Sequence, residues 1–446
     1  MKRYFAALIC VFFTGYSLAQ DTNAEEPTAE AIDWVWSGQR VWFDFVSQGE
    51  YQMLAYYDAS RQMSVAVRKM RDVNGGPWQY HKLDSYLGWY AHKKVEAAFD
   101  ENGIIHVVGN LHTNALVYFR STEPYAPRTL KRVEVMAQYE DERKMTYPEF
   151  FKGPDGHLIF KYRDGTSGQG RWFYNRWDPE RGEWSHLHET VLLDGEGIRG
   201  VYPAGPTIGP DGFAHMTFVW RETGLASSNH DLSYARSRDL VNWETSSGEK
   251  IKLPITLSTG EVIDPVPEHG GLLNGRTPVG FDREGRVLVT YQKYDMDGQT
   301  QVYIKRRENQ GWIGSQVSTW ENSRVDLDKS GALDLPIDTS EAVFLDSQDR
   351  IVVPATWRGV RWEWVLNEED LSVESGGPIE SPYPEEITQY DVDNNVPFRV
   401  RPMMEEQEKA STEYFISWEA MQPNRDQARA NIPEPSTLRV HRVWRD

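Results

Sequence analysis

The sequence predicts an all-β chain: a seven-bladed β-propeller, with six blades as the alternative, its ring closed by the N- and C-terminal strands. Three observations carry this. Long helical periodicity is scarce, and short runs rich in Val, Ile, Tyr, Phe and Trp alternate with Gly, Asp and Asn turns. One pattern of acidic turn, strand and polar end recurs along the chain. Strand-like segments also stand near both ends, "DWVWSGQRVWFDF" and "TLRVHRVWRD", where mutual pairing would remove exposed sheet edges. A pair of β-sandwiches or a β-helix is the competing architecture.

The first element, "MKRYFAALICVFFTGYSLAQ" (1–20), has the basic start, apolar run and small-residue end of a secretory signal peptide, with cleavage expected near Ala19 or Gln20. Its apolar run is too short to span a bilayer. The single cysteine, Cys10, lies inside it, so the mature chain is expected to have no disulfide and no Cys-ligated metal. Residues 21–32, acidic, small and Pro-containing, read as a disordered leader. Residues 33–446 read as one propeller domain, secreted or periplasmic, and a monomer is expected. The formal net charge of -19 makes nucleic acid and anionic membrane surfaces poor partners, while leaving room for a local basic pocket.

The repeats come next. "FDENGIIHVVGNLH", "KGPDGHLIFKYRD", "IGPDGFAHMTFVWRE", "FDREGRVLVTYQKYD" and "LDSQDRIVVPATWRG" share the pattern, and the turn glycines of the first four fall at 103, 156, 212 and 285. Several units finish on a strand carrying a tryptophan: Trp78, Trp184, Trp243 and Trp312. "SYARSRDLVNWE" reads as a degenerate Asp-box that lacks its usual glycine.

If each repeat is the axis-lining first strand of a blade, its last residue faces a common mouth. That position holds His112, Arg163, Arg221, the Lys293–Tyr294 pair and Arg358. In so acidic a chain, this is a basic cluster suited to an anionic ligand, and the planar guanidinium fork fits carboxylates and sulfates. An acidic sugar polymer is the natural ligand class. Gly109 and Asn110 would loosen the strand end that presents His112. His92 precedes the first of these turns; His106 and His215 sit mid-strand and read as packing residues. Tyr147 and Tyr202 each precede a proline at matching points before strands ending in Arg163 and Arg221. Asn229 and His230, in a loop after Arg221, read as rim contacts for substrate.

"HKKVEAAFDENGIIHVVGNLHTNALVYFRS", "MTYPEFF", "DGHLIFKYRDGTSGQGRWFYNRWD", "VYPAGP" and "NHDLSYARSRDLVNWE" together resemble the BNR-repeat propellers that include the ulvan lyases. That resemblance implies a seven-bladed propeller cleaving a sulfated rhamnose–uronate algal polysaccharide by β-elimination. It further implies a site of two histidines about twenty residues apart, a Tyr-Pro tyrosine and an arginine sixteen residues on, matched here by His92, His112, Tyr147 and Arg163, with Tyr202 as a further site tyrosine. By that likeness His92, His112, Tyr147 and Arg163 are catalytic. Arg163, with His112, would neutralise the uronate carboxylate; His92 and Tyr147 would share the roles of base and acid. Tyr202, Arg221, Asn229, His230 and Arg358 would bind substrate. No cofactor is needed for such chemistry. A structural metal ion (Zn or Ca), present in some relatives, cannot be placed, with His269 the lone candidate. A sialidase-like glycoside hydrolase, a lyase for another uronate polymer, or a non-catalytic propeller binding acidic glycans are the other readings. The first blade shows no arginine of the sialidase kind.

Overall fold

The computed structural model describes residues 28–70, 75–333, 335–345, 350–380, 398–399 and 412–444. The expected signal peptide lies outside these residues. Strand accounts for 50% of the described residues and helix for 3%, which makes the fold all-β.

Among the described residues the strands form seven antiparallel sheets. Six follow one another along the chain. The first runs Asp44–Gln48, Tyr51–Tyr57, Gln62–Lys69, Gln79–Tyr86, each strand paired to the next. The second is built on Val95–Phe99 and Ile105–Gly109, the third on Met145–Lys152, Leu158–Thr166 and Gln169–Asp178. The fourth holds Gly200–Ile208, Ala214–Arg221 and Asn229–Ser237, the fifth Val287–Tyr294 and Thr300–Glu308, the sixth Arg350–Trp357 and Val360–Leu366. The seventh joins the two ends of the described chain, with Thr28–Val35 in register with Ser436–Trp444 from Thr28↔Arg442 to Val35↔Ser436.

This last pairing shortens the leader expected over 21–32, because Thr28 is already in a strand. Ladder hydrogen bonds order a stretch whose composition gives no strand signal. Ile32 enters the core, and Glu30 pairs with buried Arg68 at 2.7 Å.

The repeated acidic turn has a physical basis. Asp100 Oδ1 accepts the N–H groups of Asn102 and Ile104 (2.9 and 2.8 Å), and Gly103 takes a left-handed φ of 79° that a side chain would oppose. Asp282 holds the N–H groups of Glu284 and Arg286 in the same way at 3.0 and 2.8 Å. In the degenerate Asp-box, Asp239 Oδ1 accepts from Val241 and Asn242 (2.9 and 2.7 Å), while Leu240 itself adopts φ 61°.

The Asp100 and Asp282 turns each join the first strand of a hairpin to its second, whereas the Asp239 turn follows the later strand Asn229–Ser237. The repeat motif therefore marks the second strand of a hairpin, correcting the expectation that it marks the first: Ile105–Gly109, Ala214–Arg221 and Val287–Tyr294 lie second in their sheets, and Leu158–Thr166 lies third because His112–Asn114 adds outside Met145–Lys152.

Apolar clusters fill the spaces between successive sheets. One device recurs in them. His106 Nδ1 hydrogen-bonds the Tyr118 hydroxyl (2.7 Å), and Trp184 of the following sheet donates its indole N–H to that hydroxyl (3.1 Å). Two sheets on, His215 Nδ1 meets the Tyr234 hydroxyl at 2.6 Å, with the Trp312 ring of the next sheet 5.1 Å from Tyr234. Both histidines are fully buried. Trp184 and Trp312, two of the tryptophans seen in the repeats, are thus wedges between sheets.

Candidate active site

Antiparallel pairing brings the starts of first strands and the ends of second strands to one rim. Thr146 pairs with Arg163 and Gly200 with Arg221, so each Tyr-Pro segment lies beside its arginine. Tyr147 and Tyr202 are both third in their strands. Tyr147 has φ 55°, and the ladder slips between Thr146 and Glu149. A bulge of this kind re-aims a side chain, and strain of this sort is kept where the surrounding fold enforces it.

His112 arrives by a different route from the one expected. The second strand of its sheet ends at Gly109; Asn110 turns with φ 61°, and His112–Asn114 pairs with Met145 and Thr146 of the next sheet. The histidine is therefore carried across to Tyr147's strand. Asn110 is held by its amide on the Tyr86 carbonyl at 2.6 Å. His92 sits in the connection between the first and second sheets.

The side chains meet. The His92 and His112 rings stack at 4.8 Å and 9°, and His92 stands edge-on to Tyr147 at 6.0 Å. Tyr147 and Tyr202 are 6.2 Å apart. Arg163, 1% exposed, has its guanidinium 4.8 Å from the Tyr147 ring and 5.5 Å from that of Tyr202, and donates from Nη1 to the Tyr202 hydroxyl (3.2 Å). Its Nε is buried and, among the described residues, has no hydrogen-bond partner. Gly170 makes room for it, since a Cβ there would stand 2.8 Å from Arg163 Cδ. Tyr147, Tyr202, Trp172 and Lys161 help line a cavity of about 400 Å³.

Electrostatics divide the groups. Burial, with Arg163 and Arg221 nearby, lowers the pKa of His92, opposed by the Asp426 carboxylate 3.8 Å from Nδ1. Burial, then His92 and Arg163, pushes His112 down to about 4. Both imidazoles are neutral near pH 7. Burial raises the Tyr147 phenol. Burial would raise Tyr202 too, but Arg163 and Arg221, with a hydrogen bond from the Gly168 N–H (3.2 Å), bring it below the ordinary value.

The other candidates stand differently. Arg221 is committed to its own loop, donating from Nε to the carbonyls of Thr223 and Leu225 (3.1 and 3.0 Å) and from Nη2 to that of Gly224, with its guanidinium 5.5 Å from the Tyr202 ring. Asn229 and His230 are not loop residues: they open the strand Asn229–Ser237. Asn229 is fully buried, its amide donating to the Ala226 carbonyl (2.7 Å) and to Asn274 (3.2 Å), so it is no rim contact. His230 has both ring nitrogens on carboxylates, Asp231 and Glu222, at 2.9 Å each. Lys293 pairs with Asp264 at 2.6 Å, and the Tyr294 hydroxyl bonds the Val325 carbonyl. Arg358 lines a different cleft from the one walled by Tyr147 and Tyr202.

Sequence reasoning missed Asp426 and Tyr90. Asp426 reaches the site from more than three hundred residues away, accepting the Ala91 N–H at 3.0 Å. Tyr90, 42% exposed, lies 5.6 Å from His112. Only its place two residues before His92 hints at it. For the metal implied by the resemblance, the residues do not fit: among the described residues no three His, Cys, Asp or Glu side chains are grouped to hold an ion, and the backbone N–H of His269 merely bonds the Ser227 carbonyl at 2.7 Å.

Solved structures place the fold. The crystal structure of polysaccharide lyase Uly1 is similar at a TM-score of 0.61 and 12% identity, covering 95% of this chain and 100% of that one. A PL25 ulvan lyase is similar at 0.61 and 13%, covering 92% and 94%. The same kind of enzyme bound to -[GlcA(1-4)Rha3S]- is similar at 0.60 and 12%, again over 92% and 94%. At these identities the likeness is one of fold. Comparison with curated proteins returns no match. Over residues 51–320, more than half its length, the chain matches the model of the BNR repeat-containing family, and it belongs to that family.

Proposed function

We propose that the chain is a secreted polysaccharide lyase that cleaves a sulfated, uronate-containing polymer of the ulvan type by β-elimination. The observation that carries this reading is the meeting of His92, His112, Tyr147, Arg163 and Tyr202 at one rim, with neutral imidazoles stacked at 4.8 Å beside a buried guanidinium whose Nε is unpartnered among the described residues. The lyase named with each of the three similar structures, and the sulfated disaccharide bound to one, support the substrate class. In this reading the seven sheets are the seven blades of a propeller latched by the terminal pairing of Thr28–Val35 with Ser436–Trp444.

The chemistry follows from the assignments. Arg163 binds the uronate carboxylate through charge-assisted hydrogen bonds and stabilises the enolate-like charge that develops there. His112, neutral, contributes a ring N–H and no charge, so the charge neutralisation falls to Arg163. His92 takes the C5 proton; the C5–H electrons form the C4=C5 double bond and the C4–O4 bond breaks. Tyr147, which burial keeps protonated, gives its proton to the departing O4. His92 then releases its proton to solvent and Tyr147 regains one. Each of these two groups is asked for roughly 10²- to 10⁴-fold. A second reading places the base at Tyr202, because its oxygen accepts two N–H groups, from Arg163 and Gly168, and its proton is held loosely.

The test is incubation with ulvan and other uronates while following ultraviolet absorbance of the unsaturated product. Wild type is expected to produce it, and His92→Ala and Tyr147→Phe to lose it. Near-normal activity in both variants defeats the assignment. Cleavage without a double bond would indicate a glycoside hydrolase, and binding without cleavage a glycan-binding propeller. Loss in Tyr202→Phe with His92→Ala active would move the base to Tyr202.

A further inference from the structure

A second cleft, of about 520 Å³, opens beside the site and is lined by Arg324, Lys329, Arg358 and Arg425, one carboxylate (Asp326) and the indole of Trp357. Its volume is that of a small-molecule site, roughly 300–1,000 Å³. Four cations against one carboxylate is a strong local reversal in a chain of net charge -19.

The cations differ in what already holds them. Asp326 pairs with Lys329 at 3.0 Å. Arg324 lies 4.0 Å over the Tyr294 ring and donates to the Gly298 carbonyl at 2.8 Å. The Arg358 side chain makes one hydrogen bond, of 3.3 Å from Nη2 to the Asn322 carbonyl, with its guanidinium 5.1 Å over the Trp357 ring, and Arg425 has no hydrogen bond or ion pair among the described residues. Arg358 and Arg425 therefore keep most of their donors for a ligand.

Both walls of the cleft are tied to the site. On one side, the Ala226 and Ser227 N–H groups of Arg221's loop bond the carbonyls of Lys329 and Leu327 (3.0 and 2.8 Å). On the other, Arg425 is followed by Asp426, which holds the Ala91 N–H and faces His92. Arg425 and Asp426 both have left-handed φ, 52° and 62°, in a tight turn whose two charged residues serve the cleft and the site respectively. An extended polymer lying over His92 has this cleft as its neighbour.

We propose that the cleft is an anion subsite holding a sulfate ester or carboxylate of a sugar unit beyond the one being cleaved. This rests on reading the ligand as an acidic polysaccharide, not on the elimination itself. The binding measurement is made by calorimetry with ulvan, desulfated ulvan and carboxyl-reduced ulvan, in a Tyr147→Phe background so that the chains stay intact. Adding Arg358→Ala and Arg425→Ala together is expected to weaken ulvan binding roughly tenfold, with Arg358→Lys and Arg425→Lys restoring part of it. If the loss disappears with desulfated ulvan the group held is the sulfate; if it disappears with carboxyl-reduced ulvan it is the carboxylate. Unchanged affinity for ulvan in the double alanine variant, or no ulvan binding without it, overturns the proposal. Because the readout is binding, a protein that makes no unsaturated product yet shows the cleft-dependent loss would leave the subsite standing while refuting the lyase.

Discussion

His106 with Tyr118, and His215 with Tyr234, lie between sheets; His92 and His112, with Tyr147 and Tyr202, lie at the rim. All four imidazoles are lowered in pKa with burial as the largest cause. What separates the regions is the partner set. His215 has both ring nitrogens engaged, by Tyr234 at 2.6 Å and Asp211 at 3.0 Å, and His106 bonds Tyr118 with Asp100 standing 3.9 Å away. Each partner tyrosine is raised by burial and wedged by a tryptophan or held by one. At the rim, His92 and His112 stack on each other, no hydrogen bond among the described residues joins either ring to a tyrosine, and the charged neighbours are the Arg163 and Arg221 guanidiniums, the Lys93 ammonium and the Asp426 carboxylate. Residue type is shared; the packing pair is fully buried with each ring bonded to a tyrosine hydroxyl, while the rim pair is half-buried and, among the described residues, bonds no tyrosine. That is the physical content of calling one pair structural and the other chemical.

The comparison breaks first at activity. His92→Ala or Tyr147→Phe is expected to lower kcat by roughly 10²- to 10⁴-fold with little change in melting temperature. Arg163→Lys comes next: it keeps the charge but loses the planar fork and the contact with Tyr202, and roughly a tenfold to hundredfold fall in kcat/KM is expected from steady-state kinetics. An Arg163→Lys enzyme as active as wild type would mean that charge alone is recognised.

At the packing pairs the signature inverts. His215→Ala leaves the Tyr234 hydroxyl buried without its partner, and about 1–3 kcal/mol of stability should be lost in urea titrations while kcat per folded molecule is unchanged. The pH dependence has a definite sign. A histidine whose folded pKa lies below its unfolded value of about 6.5 binds fewer protons folded than unfolded, so its share of stability is present above that pH and lost as pH falls through the folded value. Wild-type stability should therefore fall from about pH 6.5 toward the pKa of about 4 held by His112. His215→Ala should flatten part of that fall.

Much of this is legible in the amino-acid sequence. The alternation of short strands and acidic turns locates these strands, though not their place in each sheet, because an Asp side chain that caps N–H groups and a glycine with positive φ are chemical requirements of the turn. His92, His112, Tyr147 and Arg163 can be singled out since each sits at a fixed point relative to such a turn. What escapes is long-range placement. Nothing local announces that His112 crosses to the third sheet, that Thr28 is held by a partner strand from the opposite end of the chain, or that Arg358 looks into a separate cleft. The run "RETGLASSNHDLS" reads as a loop because Gly224 and two serines fall together, whereas Asn229 is fixed by Ala226 and Asn274 inside the sheet.

The smallest expected effect probes the one acidic group that sequence reasoning did not find. Asp426 is the only contributor among those acting on His92 that favours its protonated form. Asp426→Asn keeps an oxygen for the Ala91 N–H, so the loop geometry survives, but removes the charge 3.8 Å from Nδ1. His92 should then titrate lower still. The acid limb of the kcat/KM profile, already below the ordinary value of about 6.5, should move further down by less than about one pH unit, given the long separation. On the plateau the rate should fall modestly, because a less basic imidazole takes the C5 proton less readily. A limb that moves up, or does not move while Tyr202→Phe displaces it, would show that the proton governing the reaction sits on the tyrosine side of the cluster, and that the stacked histidines serve to position substrate.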